Sequence, residues 1–172
     1  NSAAHIKCGN YLSEKLRDFG AEVIEQKAKL KTYDGIVLNA RNIIGVFNPE
    51  HKKRVLLFAH WDSRPFADQE KDKTKRTQPI LGANDGASGV GVLLEIARQI
   101  NITPAVDMGI DIIFFDAEDW GQPSYERKPV PGSWYCLGSQ HWAENPHILN
   151  YRAEFGILLD MVGAPNATFY KE

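Results

Sequence analysis

Apolar and polar positions along the chain sort into helical, extended and aperiodic stretches. Residues 2–18 place Ile6, Tyr11, Leu12 and Leu16 on one helical face, and Gly20 follows as a stop. Residues 21–31 mix Val23 and Ile24 with Glu22, Glu25, Lys27 and Lys29, which predicts an outer antiparallel strand. Tyr33-Asp34-Gly35 predicts a turn, and residues 36–47 a second strand ended by Asn48-Pro49-Glu50. The chain therefore opens with a helix and a β-hairpin. Lys53 to Ala59 predicts a third, central strand, residues 108–115 a fourth and residues 156–162 a fifth. A turn at Gly163-Ala164-Pro165-Asn166 and a short strand from Ala167 to Tyr170 complete the extended set. A small-residue segment, Gly82 to Gly89, leads into a strongly apolar helix through Val90, Val92, Leu93, Leu94, Ile96, Ala97 and Ile100, and Asn101 to Pro104 is a connector. Residues 134–145 form a further helical stretch, with Trp134, Leu137 and Trp142 on one side and Pro146 closing it. Residues 62–82 and 119–133 carry no apolar period and read as long loops, a length usually tied to function.

Strands alternating with helices predict an α/β fold, a three-layer α/β/α arrangement with a mixed, mainly parallel central sheet. The 172 residues suffice for one domain with its own core. Apolar residues make up 43% and charged residues 24%, which argues against disorder. The net charge of −2 gives no broad attraction to nucleic acid, and no apolar run approaches 18 residues, so no membrane span is expected. Cys8 and Cys136 form neither a zinc-knuckle pattern nor a disulfide framework; two free, buried thiols are expected in preference to a bridge. The first residue is Asn1 rather than Met, which reads as a processed or engineered start and leaves localisation unreadable.

The chemistry concentrates where apolar strands end. Ile112-Ile113-Phe114-Phe115 runs straight into Asp116, Glu118 and Asp119. Val55 to Ala59 runs into His60 and Asp62, and Gly156 to Leu159 into Asp160. In an open α/β sheet the carboxyl ends of strands are where ligands bind. Carboxylates crowded there repel one another unless something positive sits among them, and a metal cation is the simplest answer. Asp85 stands in the small-residue segment at a helix start, where it can serve as an N-cap or be held rigidly enough to ligate a metal. Nitrogen and carboxylate donors without thiolates suit an open, catalytic zinc site. Neighbours in an extended backbone point apart, so of Glu118 and Asp119 one can bind metal while the other carries a proton.

Four stretches carry a family resemblance. His60-Trp61-Asp62-Ser63, Gly82-Ala83-Asn84-Asp85-Gly86-Ala87-Ser88-Gly89, Phe114-Phe115-Asp116-Ala117-Glu118-Asp119 and Leu159-Asp160-Met161 occur in the order of the zinc-dependent M28 exopeptidase family. That family includes two-zinc aminopeptidases and glutaminyl-peptide cyclotransferases. The resemblance runs from about Lys53 to the end. The stretch Leu158 to Phe169, through Gly163-Ala164-Pro165-Asn166, and Leu137-Gly138-Ser139-Gln140-His141 are similar to the cyclase branch. For a cyclase, the resemblance implies one zinc bound by Asp85 and Asp119, Glu118 as general acid/base, Asp160 holding a hydrogen bond beside the centre, and His60 nearby without binding. The substrate is then a peptide with a free N-terminal glutamine, converted to pyroglutamate with release of ammonia. For an aminopeptidase it implies two zincs, bridged by Asp85, the second held by His60 and Asp160. An extracytoplasmic location also follows from the resemblance.

Some positions depart from the family pattern. Asp119 stands where many relatives have Glu, so that ligand is one methylene shorter. Ala59 and Val90 stand where animal cyclases carry cysteines, so their disulfide cannot form and the bacterial branch fits better. The family's third zinc ligand is a histidine lying further along than Glu172, which implies the N-terminal part of a longer catalytic domain. His141 matches a non-ligand position in the cyclases, and His147, after Pro146 at a helix end, reads as a surface residue. Trp61, Trp120 and Trp134 can line an apolar pocket or pack in the core.

Overall fold

The run Gly109–Phe115 is buried at every position, as a strand covered on both faces requires. In this computed structural model, which describes residues 2–103 and 107–169, that run is the middle strand of a five-stranded sheet. The elements in chain order are α1 (Ala3–Asp18), β1 (Glu22–Lys31), β2 (Val37–Phe47), β3 (Arg54–His60), α2 (Ala87–Ile102), β4 (Gly109–Phe115), α3 (Leu137–Glu144) and β5 (Phe155–Leu158). A single 3-10 turn at Lys73–Lys75 interrupts the first long loop.

The strand order is β1-β2-β4-β3-β5. The hairpin β1/β2 and the pair β2/β4 are antiparallel, whereas β3 pairs in parallel with both β4 and β5. The register aligns His60 with Phe115 and Phe58 with Leu158. Bonds from the Trp61 amide to the Phe115 carbonyl (2.9 Å) and from the Leu159 amide to the Phe58 carbonyl (2.9 Å) carry the alignment just past the strand ends. Three parallel strands thus stop at one level and release their next residues on one rim of the sheet.

Helices cover both faces. Leu12 and Leu16 of α1 and Val90, Leu93 and Ala97 of α2 pack on Ile43, Phe47, Ile110, Ile112 and Phe114. Trp142 of α3 packs on the opposite face against Ile44, Val46, Ile113 and Phe115. Ser2 caps α1 by accepting the His5 amide, and Gly20, at φ +87, ends it in the left-handed conformation that glycine adopts without steric cost. Among the described residues no helix is long and apolar enough to cross a membrane.

Several elements differ from the sequence expectation. The fifth strand stops at Leu158, ahead of Asp160, and all four of its residues are exposed because it is an edge strand paired with β3 alone among the described residues. The last helix begins at Leu137, not at residue 134; Cys136 sits at φ 56 just before it, and the Trp134 indole instead donates to the Val130 carbonyl. Residues 167–169 form no strand, and Tyr170 lies outside the described residues. The helix α2 takes in Asn101 and Ile102 of the expected connector, while Pro104 lies outside the described residues. Both thiols are free, but Cys8 is exposed rather than buried.

His147 is not a surface residue: its side chain is 1% exposed and Nδ1 accepts the Trp142 indole N–H at 3.1 Å. It borders a buried polar group on β4. Asp111, fully buried, takes a two-pronged bond from Arg54 (Nε and Nη2, both 2.7 Å) and one from the Tyr151 hydroxyl (2.8 Å), with His147 Nε2 at 3.8 Å. Burial alone pushes the Asp111 carboxyl up, but His147, Arg54 and Tyr151 outweigh it and hold it below the usual carboxylate range. This cluster ties β3, β4 and the segment that leads into β5. Asp111→Ala strands a buried guanidinium, so it should destabilise the protein by about 3–5 kcal/mol in urea unfolding. Because the folded-state pKa is lowered, the Asp111 contribution should be intact at neutral pH and be lost as pH falls below about 4, an acid-sensitive component absent from Asp111→Ala.

Candidate metal centre

Four pieces of backbone meet at the rim where β3, β4 and β5 stop. The end of β3 supplies His60 and Asp62, and the turn after β4 supplies Glu118 and Asp119. The residue ahead of the α2 N-cap, Gly86, is Asp85, and Asp160 follows β5. Asp85 caps no helix: α2 has no side-chain cap bond, and the Asp85 carboxylate reaches His60 instead, Oδ1 lying 2.9 Å from Nε2. His60 Nε2 is also 3.6 Å from Asp160 Oδ1, and Nδ1 is 3.5 Å from Asp62 Oδ1.

The turn that presents Glu118 and Asp119 is held through its backbone. Ala117 sits at φ 56, uncommon for a residue with a Cβ, and its carbonyl accepts the Leu137 amide at 3.0 Å. The Glu118 carbonyl accepts the Cys136 amide at 2.9 Å. Asp62 takes both following amides, Glu118 N–H on Oδ1 at 3.0 Å and Asp119 N–H on Oδ2 at 3.1 Å. The Asp119 carbonyl accepts Arg64 Nη1 at 2.9 Å. Asp62 is therefore a backbone anchor, and Arg64 is a partner that sequence reading missed. The available signal was its spacing from Asp68, i to i+4, within the first long loop.

Asp116 does not join the group. It turns to the α1 side, where its carboxylate accepts the Arg41 amide (2.8 Å) and the Ala117 amide (2.8 Å) and lies 3.0 Å from His5 Nε2. Alternation along the strand end sends it to the face opposite its neighbours. His141, on α3, contacts Asn145 and belongs to neither donor cluster.

Electrostatics match the crowding. Burial, and then the neighbouring Asp85 and Asp62, push the Asp119 carboxyl up to about 7. Burial raises Glu118 as well, aided by Asp62, Asp160 and Asp85 and opposed by His60. For His60, burial works against the charged ring, but Asp62, Glu118 and Asp119 outweigh it and hold the imidazole up to about 10.

The donors fit a metal cation. One donor atom each of His60, Asp85 and Asp119 lie within 4.8 Å of one another, and so do those of His60, Glu118 and Asp160. Both His60 nitrogens, Asp119 Oδ2 and Asp160 Oδ1 are buried without a hydrogen-bond partner of proper alignment, although carboxylates stand close by. Buried polar atoms rarely stay unpartnered. Imidazole and carboxylate donors gathered this way are those zinc takes in catalytic sites.

A cavity of about 500 Å³ opens beside Asp85 and Asp119, walled by Arg64, Phe66, Ile80 and Tyr135. Trp120 packs its ring edge-on to Phe66 close to this space. Trp61 is a core residue instead, stacked on His5 at 4.2 Å and donating to the Arg41 carbonyl. A second cleft of about 600 Å³, between α1 and the hairpin, is lined by His5, Lys27, Arg41 and Trp61 and contains none of the clustered acids.

An α/β sheet with carboxylates and an imidazole converging at its carboxyl rim is a scaffold of metalloenzyme type. The sequence profile of peptidase family M28 matches residues 42–172, and the chain belongs to that family. It is 31% identical over 147 residues to the glutaminyl-peptide cyclotransferase of Gloydius blomhoffii, covering 74% of this chain and 38% of the relative. Among solved structures, a Zn-dependent exopeptidase from Parabacteroides distasonis superposes with a TM-score of 0.96 at 62% identity, over 100% of this chain and 58% of that one. The Bacteroides thetaiotaomicron glutaminyl cyclase bound to N-acetylhistamine superposes with a TM-score of 0.95 at 57% identity, over 98% of this chain and 57% of that one. The chain thus spans little more than half the length of these solved relatives and 38% of the snake enzyme.

The position of Asp160 rests on close packing under it. The Ser88 hydroxyl accepts the Val162 amide at 3.0 Å, and Asn84 Oδ1 accepts the Gly163 amide at 2.8 Å. A Cβ on Gly89 would lie 2.0 Å from the Leu159 carbonyl oxygen, a backbone atom that cannot swing away. Gly89→Ala should therefore destabilise the protein by about 1–3 kcal/mol, measured by chemical denaturation, while the equally helical Gly91→Ala, with nothing near its Cβ, should be neutral or stabilising.

Proposed function

We propose that this chain carries the amino-proximal part of a zinc-dependent glutaminyl-peptide cyclotransferase. The observation that carries the reading is the likeness, at 57% identity and over 98% of this chain, to a solved bacterial glutaminyl cyclase, on a rim whose buried carboxylates fit zinc. The substrate is a peptide with a free N-terminal glutamine.

Asp85 and Asp119 hold the metal in this reading, their donors lying together beside the open cavity. Bound zinc supplies Lewis acidity toward the side-chain γ-carbonyl of the glutamine. The attacking α-amine belongs to the same residue, so proximity comes with the substrate. Glu118 takes a proton from that amine as the new C–N bond forms. It then returns the proton to the side-chain amide nitrogen, whose C–N bond breaks, so that ammonia leaves and the already closed ring remains as pyroglutamate. Burial raises the Glu118 pKa above the ordinary carboxylate value, which favours uptake of a proton by this group. Asp160, beside Glu118 among the donors, orients the amine. Phe66, Ile80 and Tyr135 give the cavity its aromatic and aliphatic wall.

A second reading, a two-zinc aminopeptidase, draws on His60. Its Nε2 stands 2.9 Å from Asp85 and 3.6 Å from Asp160, the spacing of a possible second donor set with Asp85 as bridge. Glu118 would then activate water against the first peptide bond.

Full-length enzyme incubated with a Gln-initiated peptide should produce, by mass spectrometry, a product lighter by one ammonia and no shortened peptide. Glu118→Gln should lower kcat by at least about a hundredfold while zinc content stays unchanged. Cleavage to a free amino acid would reject the cyclase. Metal analysis of His60→Ala separates the two readings independently. Zinc should stay at one per chain for a cyclase and fall from two toward one for an aminopeptidase.

A further inference from the structure

Resting on the ligand set proposed above, we infer that Arg64 is a positioning residue for the metal centre, acting through the backbone of Asp119. The backbone of Asp119 is gripped on both sides of its Cα. Its N–H goes to Asp62 Oδ2 at 3.1 Å, and its carbonyl accepts Arg64 Nη1 at 2.9 Å. With the ligand's amide and carbonyl both fixed, the Asp119 side chain has little left to vary except its own two torsions.

Arg64 is itself immobilised. Its other two donors form a fork on Asp68, Nε to Oδ1 at 2.7 Å and Nη2 to Oδ2 at 2.9 Å, and its guanidinium lies 5.4 Å from the centre of the Tyr135 ring. Asp68 is 4% exposed. Its Oδ2 also takes the Ser124 amide at 2.8 Å, and the Ser124 hydroxyl donates to the Asp68 carbonyl at 3.2 Å. Tyr135 closes the ring of contacts, its hydroxyl donating to the Gln122 carbonyl at 3.3 Å. Three stretches far apart in sequence, 62–68, 119–124 and the residues before α3, are joined at this one guanidinium. No lysine could replace it: an ammonium can meet one partner well but lacks the planar fork that spans a carboxylate and a carbonyl together.

A residue that orients a metal ligand without touching the metal changes metal affinity, typically by about 10–100-fold when removed. The test uses full-length enzyme stripped of metal and titrated with zinc against a chelator of known affinity, with thermal midpoints of the metal-free proteins recorded alongside. Arg64→Ala should bind zinc about 10–100-fold more weakly, and millimolar guanidinium should restore part of the loss. Arg64→Lys should lose affinity in the same direction, and it carries the test if Arg64→Ala does not fold. Zinc affinity unchanged in both Arg64 variants, with Asp119→Ala clearly weakened, would overturn the positioning role and leave the proposed ligands standing. If Asp119→Ala binds zinc as tightly as the wild type, the ligand assignment and the clamp fall together.

Discussion

Everything at the rim answers to one electrostatic constraint. Asp62, Asp85, Glu118, Asp119 and Asp160 surround a single buried imidazole, in a place where water screens poorly. Five acids around one ring would splay apart on flexible chain. They are kept together because each sits at the end of an element fixed elsewhere, by strand pairing, by helix packing or by hydrogen bonds to main-chain amides. The repulsion is stored in raised carboxyl pKa values at Glu118 and Asp119, and a divalent cation would relieve it.

The sheet separates two tasks along its length. Near one end of β3 and β4, the Arg54–Asp111 pair is saturated with partners and buried away from solvent. At the other end, His60, Asp119 and Asp160 retain unpartnered atoms. Charge is used at both ends; beside the Arg54–Asp111 pair one imidazole nitrogen, His147 Nε2, lacks a bond, whereas at the rim unbonded atoms of His60, Asp119 and Asp160 converge. Satisfied buried charge locks strands together, whereas unsatisfied charge of this kind is the mark of a place that binds something.

Much of this was readable in the residues. The buried run ahead of Asp116, the hairpin and the two main helices follow from periodicity alone, and the donors at the strand ends were named from the same pattern. Asp116 was misjudged because period-two alternation says that neighbours part, not which of them faces the site. Asp85 was ambiguous because a carboxylate before a helix looks the same whether it caps or ligates. Arg64 and Asp68 are legible as an i to i+4 pair but not as a clamp. Their further partners are a distant carbonyl and a distant amide, and backbone groups leave no trace in residue identities. His147 misled because a histidine after a proline looks exposed until Asp111 and Trp142 are seen to flank it.

The outermost parallel strand, β5, carries Phe155, Ile157 and Leu158 half open to water, 53%, 44% and 50% exposed. Among the described residues its other side is unpaired, a row of amides and carbonyls with greasy neighbours, the combination that seeds strand-to-strand adhesion between molecules. Handled as an isolated polypeptide, these 172 residues would consequently be expected to stick to copies of themselves as concentration rises. Masking that border with a charged residue at Ile157 would improve behaviour in solution without touching the acids at the rim.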